Sequence, residues 1–250
     1  EIGGKGLFTQ ELEQALRAGR ADLAVHSLKD LPIDDGEGLT IGATPPRADA
    51  REVLVAAASP RLMDLPAGAV VGTSSLRRQA QVLALRPDLV VRPIRGNVET
   101  RIRKVQAGLF DAVLLAAAGM LRLGLADRIT EWFDFEVMLP APGQGALAIQ
   151  CREGDAGVLS LLQRLDDAPT RAAVHAERAF LHGLGGGCSA PVGAYAHAEG
   201  RDLHLAGMAA SLDGREVIRV HGSGRDPLQL GEALAREALA RGAHRVVQHA

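Results

Sequence analysis

Short apolar runs alternate with amphipathic segments through the middle of this sequence, and that rhythm limits the possible folds more than any other feature. Strands are predicted at 69–72, 89–94 and 111–116, with helices at 75–86, 97–107 and 117–123. Pro87 and Gly108 end the first two helices, because proline lacks a backbone donor and glycine readily adopts the conformation that follows a helix. Such alternation predicts an α/β unit with a mostly parallel sheet.

The residues on both sides of this unit predict two further units. Stretches rich in proline or glycine at 45–51 and 140–145 are typical of chain crossings between domains. A strand after the second crossing could pair back with strands before the first, and the last third predicts a small α+β domain with an antiparallel sheet. The elements expected here are a helix at 7–18, strands at 22–27, 40–43 and 146–151, a helix at 170–183, strands at 191–198, 202–210 and 215–222, and a helix at 227–241.

Composition excludes several classes of protein. Hydrophobic residues make up 47% of the 250 residues and charged residues 23%, which is typical of a globular protein. The longest apolar run is about ten residues, half of what a membrane span needs, and a net charge of −2 gives no general attraction to nucleic acid or anionic membranes. Two cysteines form no disulfide framework and, with scattered histidines, match no metal-ligand spacing, so we predict a cytoplasmic protein without a metal.

The segment VGTSSLRR, 71–78, predicts an anion site at a strand-to-helix turn. Ser74 or Ser75 is suited to cap the helix, whose free N–H groups and dipole favour an anion. Arg77 and Arg78 fall in the first turn, where the dipole disfavours cations, so an anionic ligand would account for them. A plain helix cap with two solvated arginines is the alternative interpretation.

The segment RGNVETRIR, 95–103, repeats this arrangement, with Asn97 as the cap and arginines at 95 and 101. Because ligands of open α/β sheets bind at the carboxyl ends of strands, both turns are expected to line one crevice, which Arg122 could join after the third strand. Guanidinium groups suit carboxylates, so a ligand with several carboxylates is the natural hypothesis. An arginine-rich genome is the alternative explanation.

The segment VHSLKDLP, 25–32, delivers His26, Ser27, Lys29 and Asp30 from a strand to a tight loop. Lys29 and Asp30 could both point into a cleft, where a carboxylate among arginines stays ionised and stabilises positive charge on a substrate. A surface ion pair is the alternative, and His26 is better explained as a core or edge histidine.

The segment GGGCSAPVG, 185–193, presents Cys188 on a glycine-rich loop, whereas Cys151 lies in a predicted strand and resembles a small buried hydrophobe. An exposed cysteine is either reactive or incidental, and no cysteine-protease signature accompanies it.

Taken together, the motifs resemble the porphobilinogen deaminase family, also called hydroxymethylbilane synthases, over essentially every residue. They are long and contiguous, and they occur in one order: GGKGLFTQELE (3–13), ADLAVHSLKDLP (21–32), GTSSLRRQAQ (72–81), RGNVETR (95–101), LLAAAGMLRLGL (114–125), PAPGQGALAIQCR (140–152) and HAERAFLHGLGGGCSAPVGAYA (175–196).

The resemblance implies an α/β fold of two domains like those of type II periplasmic binding proteins, joined by two hinge crossings, plus a small α+β domain with a three-stranded antiparallel sheet. The implied limits are 1–45 with 146–165 for domain 1, 46–145 for domain 2 with hinges at 45–51 and 140–145, and 166–250 for the C-terminal domain. The implied cofactor is a dipyrromethane joined by a thioether to Cys188. On this primer a monomeric enzyme condenses four porphobilinogen molecules, with loss of ammonia, into the linear tetrapyrrole hydroxymethylbilane.

The resemblance also implies a role for particular residues. Asp30 matches the catalytic carboxylate, and a segment with Lys5 and Phe8 matches a mobile flap. Cofactor contacts are implied for Lys29, Thr73, Ser75, Arg77, Arg78 and Gln144, and substrate contacts for Ser27, Arg95, Arg101 and Arg122.

Two expectations qualify this assignment. The chain begins without methionine, inside a predicted loop, so we expect that a family segment of the first domain, which contributes site residues, is missing.

A non-catalytic solute-binding or sensor module for a polycarboxylate anion is the alternative function, although such a module needs neither a third domain nor an exposed cysteine. A nucleic-acid binder is disfavoured by the net charge and by only seven aromatic residues.

Overall fold

The computed structural model describes residues 5–33, 36–58, 60–185 and 190–247, with side chains from Thr9 onward. Three sheets organise this part of the chain. Among these residues no helix has the length and apolar character needed to cross a bilayer.

The central sheet has five strands in the order β5-β4-β6-β3-β7. Alternate strand residues enter two separate cores on its faces, with Leu54 and Leu114 on one side and Val53 and Val113 on the other. The elements of this unit are β3 (Glu52–Ala56), β4 (Val70–Gly72), α2 (Leu76–Leu85), β5 (Val90–Arg92), α3 (Val98–Gln106), β6 (Ala112–Ala116), α4 (Ala117–Arg122) and β7 (Glu131–Trp132).

The expectation of a mostly parallel sheet is confirmed for the three predicted strands, and β3 is the strand that departs from it. Strand β4 runs parallel to both β5 and β6, but β3 pairs antiparallel with β6 and with β7. The predicted linker at 45–51 ends directly before β3, a strand that the sequence analysis missed. Its run of four buried residues shows no alternation of buried and exposed positions. This pattern is typical of a strand covered on both faces.

A second sheet combines strands from two distant parts of the chain in the order β1-β8-β2. The suggestion that the strand after the second crossing pairs back is confirmed, because β8 lies antiparallel between β1 and β2. The chain therefore passes twice between this sheet and the central one. The elements are α1 (Lys5–Arg17), β1 (Leu23–Ser27), a 3-10 turn (Leu28–Asp30), β2 (Leu39–Ala43), β8 (Leu147–Arg152) and α5 (Ala156–Leu162).

The C-terminal region forms the predicted α+β unit around a three-stranded antiparallel sheet, β11-β10-β9. Phe180 is fully buried in its core and packs where Gly207 has no side chain; a Cβ there would lie 2.5 Å from the ring. The elements are α6 (Ala168–Gly183), β9 (Val192–Glu199), β10 (Asp202–Ala210), β11 (Val217–Gly224), α7 (Pro227–Ala240) and α8 (Ala243–Val247). The α/β class with an α+β C-terminal unit is thus confirmed, while the domain limits stay a prediction.

Candidate anion-binding site

A cavity of about 310 Å³ opens between the central sheet and the sheet of β1, β8 and β2. Its walls come from the end of β1, the first turn of α2, the turn from β5 into α3, the junction of β6 with α4, and the second crossing. The described residues that line it are Ser27, Lys29, Arg78, Gly96, Asn97, Val98, Arg101, Leu115, Ala116, Ala118, Gly119, Arg122 and Gly145.

Helix caps hold the two arginine-bearing turns in place. Ser75 caps α2 by accepting from the Arg78 amide at 3.4 Å, and Asn97 caps α3 by accepting from the Thr100 amide at 2.9 Å. The Ser74 hydroxyl links the two turns, because it donates to the Ile94 carbonyl at 2.8 Å and accepts from the Ile94 amide at 3.1 Å. The predicted caps are confirmed, and the turns are held side by side.

A buried ionic cluster supports the wall at the first of these turns. Glu52, with no exposed surface, accepts from Arg77 Nη2 at 2.6 Å and from Arg78 Nε at 2.9 Å. Both guanidinium groups also donate to main-chain carbonyls, Arg77 to Leu139 and Arg78 to Leu114. Burial alone would raise the pKa of Glu52, but the two arginines outweigh that effect and lower its pKa to about 2.

Lys29 projects into the cavity from the 3-10 turn after β1. Its Nζ donates a hydrogen bond to Gln144 Oε1 at 3.4 Å. Burial is the main cause that lowers the pKa of Lys29 to about 8, and the charge of Arg78 adds to it. The neighbouring carboxylates of Glu52 and Asp30 act in the opposite direction. Lys29 therefore loses its charge just above neutral pH.

The second crossing contributes two residues to the site. Gln144 is fully buried, and its Nε2 donates to the Ala50 carbonyl on the first crossing at 2.8 Å. The Gly145 carbonyl accepts from the Ala48 amide at 3.1 Å and from Arg122 Nη2 at 3.2 Å. The two crossings are therefore bonded to each other and to a cavity arginine.

Arg101 and Arg95 are placed differently although both belong to the second turn. Arg101 lines the cavity, where its Nε donates to the Gly96 carbonyl at 2.8 Å. Burial and the nearby charge of Arg78 lower the pKa of Arg101. Arg95 is exposed and lies outside the cavity lining, although its carbonyl accepts from Lys104.

The structure brings some of the predicted site residues together. Lys29, Arg78, Arg101 and Arg122 line the cavity with Ser27, and no acidic residue belongs to the described lining. Thr73, Ser75 and Arg77 lie outside the lining, as does Asp30, which is exposed on the 3-10 turn. The side chains of Lys5 and Phe8, and the whole of Cys188, lie outside the described residues.

Sequence reasoning missed two buried carboxylates near the site. Glu52 belonged to no predicted element, and Glu177 appeared only within the predicted helix at 170–183. Glu177 forms a two-bond ion pair with Arg47, at 2.6 and 3.1 Å, and has no exposed surface. The signal in the sequence was a carboxylate within an apolar segment. Such a carboxylate needs a buried partner, but the local sequence does not identify that partner.

The cavity favours an anion with several carboxylates. Four basic side chains converge on it, and a low dielectric strengthens their attraction for an anion. The described part of the chain holds no group of three or more potential metal ligands.

Family models match two consecutive parts of the chain. Residues 1–160 match the model described as porphobilinogen deaminase, dipyromethane cofactor binding domain, and residues 171–240 match porphobilinogen deaminase, C-terminal domain. The structural neighbours include a periplasmic substrate-binding protein of an ABC transporter from Coxiella burnetii, with 15% identity, 62% of this chain and 75% of that chain covered, and a TM-score of 0.43. Similarity at that level supports neither a shared ligand nor a shared mechanism.

Curated relatives are much more similar to the chain. A porphobilinogen deaminase of Brevibacillus brevis is 51% identical over 97% of this chain and 79% of the relative, and one of Roseiflexus castenholzii is 55% identical over 95% and 79%. Another, from Desulforudis audaxviator, is 52% identical over 99% and 81%. With both family models matched and about half of its residues identical to theirs, the chain belongs to the porphobilinogen deaminase family.

Proposed function

We propose that the chain is a transferase that condenses four porphobilinogen molecules head to tail into hydroxymethylbilane on a covalently bound dipyrromethane primer. The observation that carries this proposal is the cavity, where Lys29, Arg78, Arg101 and Arg122 converge in a member of this family. A growing chain of pyrroles that bear acetate and propionate groups gains negative charge with each addition. Several fixed cations are what such a product needs.

The residues in and beside the cavity fit a polycarboxylate cofactor. Lys29 and Arg78 reach the cavity from the side of Gln144 and Glu52, and we assign them to cofactor binding together with Thr73, Ser75, Arg77 and Gln144. We assign Arg101 on α3 and Arg122 on α4 to the incoming substrate with Ser27 and Arg95. When bound, the dipyrromethane would supply the free pyrrole carbon that takes the first unit. Each later unit would join the pyrrole added before it, and hydrolysis of the bond to the primer would release the product with the hydroxyl group of water.

Cys188 is the proposed attachment point, and the surroundings of Cys151 support this choice. Cys151 is fully buried in β8, within an apolar cluster that includes Ile149 and Leu162. Burial raises the pKa of the Cys151 thiol, which disfavours the thiolate that forms a thioether. Of the two cysteines, Cys188 is therefore the better candidate.

Asp30 is the proposed catalytic carboxylate. Each addition joins the aminomethyl carbon of porphobilinogen to a free pyrrole carbon; ammonia leaves with the amino nitrogen, and the pyrrole carbon loses its proton. The departure of ammonia leaves positive charge on the substrate, which a fixed carboxylate stabilises. Asp30 adjoins Lys29, which lines the basic cavity, on the turn after β1.

Three finer points belong to the same proposal. The low cysteine count fits a reducing compartment, so we propose that the enzyme is cytoplasmic, and we propose that it acts as a monomer. The segment with Lys5 and Phe8 is proposed to act as a flap over the site.

Intact-mass spectrometry of the purified full-length protein tests the proposal. The wild type and Cys151→Ser are expected to carry an excess mass equal to two linked pyrroles, whereas Cys188→Ser is expected to fold without it. A solute-binding module would show no adduct in any variant. An adduct that peptide mapping places on Cys151 would overturn the attachment point.

A further inference from the structure

Glu52 lies beside the cavity, and the proposed reaction gives it no role so far. It opens β3, directly after the first crossing, and it has no exposed surface. Its two oxygens are divided between two arginines, with Oε1 bound to Arg77 and Oε2 bound to both Nε and Nη2 of Arg78. A single carboxylate thus holds two consecutive residues of the first turn of α2.

We propose that Glu52 is a positioning residue, which presents the Arg78 guanidinium to the carboxylates of the bound pyrrole chain and maintains the charge of Lys29. The inference rests on the proposed function and deepens it, because it names a residue that acts on the ligand through its neighbours.

The bonds of Arg78 explain how Glu52 orients it. The guanidinium has five N–H groups in one plane. Nε and Nη2 bond to Glu52, and Nη1 donates to the Leu114 carbonyl at 3.1 Å. These contacts fix the plane of the group and leave two N–H groups for a ligand in the cavity that Arg78 lines. Without Glu52, only the bond to Leu114 would hold that plane.

The charges explain a second role for Glu52. Arg77, Arg78 and Lys29 place three cations within one buried region, and Glu52 is the fully buried carboxylate among them. Loss of its charge would leave two guanidinium groups repelling Lys29 with less opposition, since Asp30 would remain as the nearby acid. Lys29 would then lose its proton at a lower pH, and the cavity would hold one cation fewer near neutrality.

A purely structural role is the competing explanation, and Glu177 provides the matched control. It is equally buried and also bonds an arginine, but its partner Arg47 lies outside the cavity lining. Its contact with the second crossing goes to the main chain, at the Gly143 amide, so Glu177→Gln should destabilise the protein while leaving the charges of the cavity unchanged. The two variants separate loss of stability from loss of positioning.

The first measurement is cofactor loading, read from the intact mass of each full-length variant. Glu52→Gln is expected to reduce the fraction that carries the two-pyrrole adduct by at least about tenfold, whereas Glu177→Gln keeps wild-type loading. Glu52→Asp keeps the charge but is one methylene shorter, and should load to an intermediate level. Absence of the adduct from the wild type would contradict the proposed function itself and not this inference.

The second measurement is the titration of Lys29 by competitive acetylation, read from peptide masses. The chain has three lysines, so Lys104 serves as an internal reference. Cys188→Ser versions of all variants are used, so that no cofactor carboxylates contribute. The pKa of Lys29 is expected to fall in Glu52→Gln, to stay near that of the parent in Glu52→Asp, and to be unchanged in Glu177→Gln.

The outcomes are decisive even if Glu52→Gln does not fold, because Glu52→Asp then carries the test. Full loading of every folded Glu52 variant, with Lys29 titrating as in the parent, would overturn the inference. Equal loss of loading in Glu177→Gln and the Glu52 variants would overturn it as well, since loss of stability alone would then explain the result.

Discussion

Two carboxylates are completely buried in the described part of this protein, and they are satisfied in different ways. Glu177 accepts two bonds from Arg47 and one each from the amides of Gly143, at 2.6 Å, and Ala196, at 2.8 Å. Glu52 accepts side-chain bonds from arginines alone. A carboxylate that binds amides fixes the path of the chain, whereas one that binds only side chains sets the charge and orientation of those side chains.

The locations of the two groups agree with this distinction. Glu177 on α6 joins the first crossing through Arg47, the second crossing through Gly143 and β9 through Ala196, so three parts of the chain meet at one side chain. Glu52 lies behind the wall of the cavity, beside Arg78. Removing one partner from a buried ion pair of either kind lowers the free energy of unfolding by several kcal/mol. Only the kind formed by Glu52 is expected to change ligand binding as well.

The largest effect is expected from Asp30, a carboxylate that is exposed and therefore contrasts with both. Asp30→Asn should fold and reduce single-turnover addition of porphobilinogen to preassembled holoenzyme about a thousandfold. A full charge at ~4 Å is worth about 4 kcal/mol at an effective dielectric near 20. Asp30→Glu, which keeps the charge, should retain more activity, and an Asn variant as fast as the wild type would show that Asp30 only holds the turn.

The next largest effect concerns Glu177. Replacement by Gln should lower the free energy of unfolding by about 3–5 kcal/mol, because it leaves the Arg47 guanidinium, whose side chain is only 11% exposed, without its counter-charge. Urea denaturation followed by circular dichroism measures this change. Glu13→Gln, at a pair whose arginine is 41% exposed, is the control and should change stability by less than about 1 kcal/mol. Similar losses of unfolding free energy in both variants would contradict the larger contribution expected from Glu177.

The smallest effect concerns the pH dependence of ligand binding in the cavity, on the Glu52 side of the comparison. Lys29 is charged below its pKa of about 8 and neutral above it, so the affinity of the empty cavity for a polycarboxylate anion should fall by about tenfold as pH rises from 7 to 9. Because the unfolded chain holds that proton up to about pH 10.5, Lys29 itself should make the folded state more stable, not less, as pH rises from 8. Isothermal titration calorimetry on Lys29→Met, which should lack the pH dependence, checks the assignment.

Local signals account for what the sequence could predict. Ser75 and Asn97 were identified as caps because capping depends on residues three positions apart, and both turns carry the arginines that face the cavity. Strand β3 was missed because its apolar run lacks a period, and its opposite direction reverses part of the expected parallel sheet. Local pattern therefore predicts elements better than it predicts their pairing.

The buried partnerships could not be predicted in this way. Glu52 lies 25 residues from Arg77, and Arg47 lies 130 residues from Glu177, so neither pair leaves a mark on local spacing. The exposure of Arg95 and the placement of Arg101 in the cavity also depend on how α3 packs, since both residues belong to the same motif. Roles at these positions follow from packing that only the assembled sheets determine.

Gly145 has a consequence for how this sequence can evolve. Its φ of +85° suits glycine, and a Cβ there would lie 2.6 Å from the Ala48 carbonyl oxygen on the first crossing. Its own carbonyl is shared by the Ala48 amide and Arg122. A larger residue at this position would separate the crossings and withdraw a partner from a cavity arginine in a single step. Drift at position 145 should therefore be tolerated only alongside compensating change in both the first crossing and α4, which makes three distant stretches of the gene evolve as one.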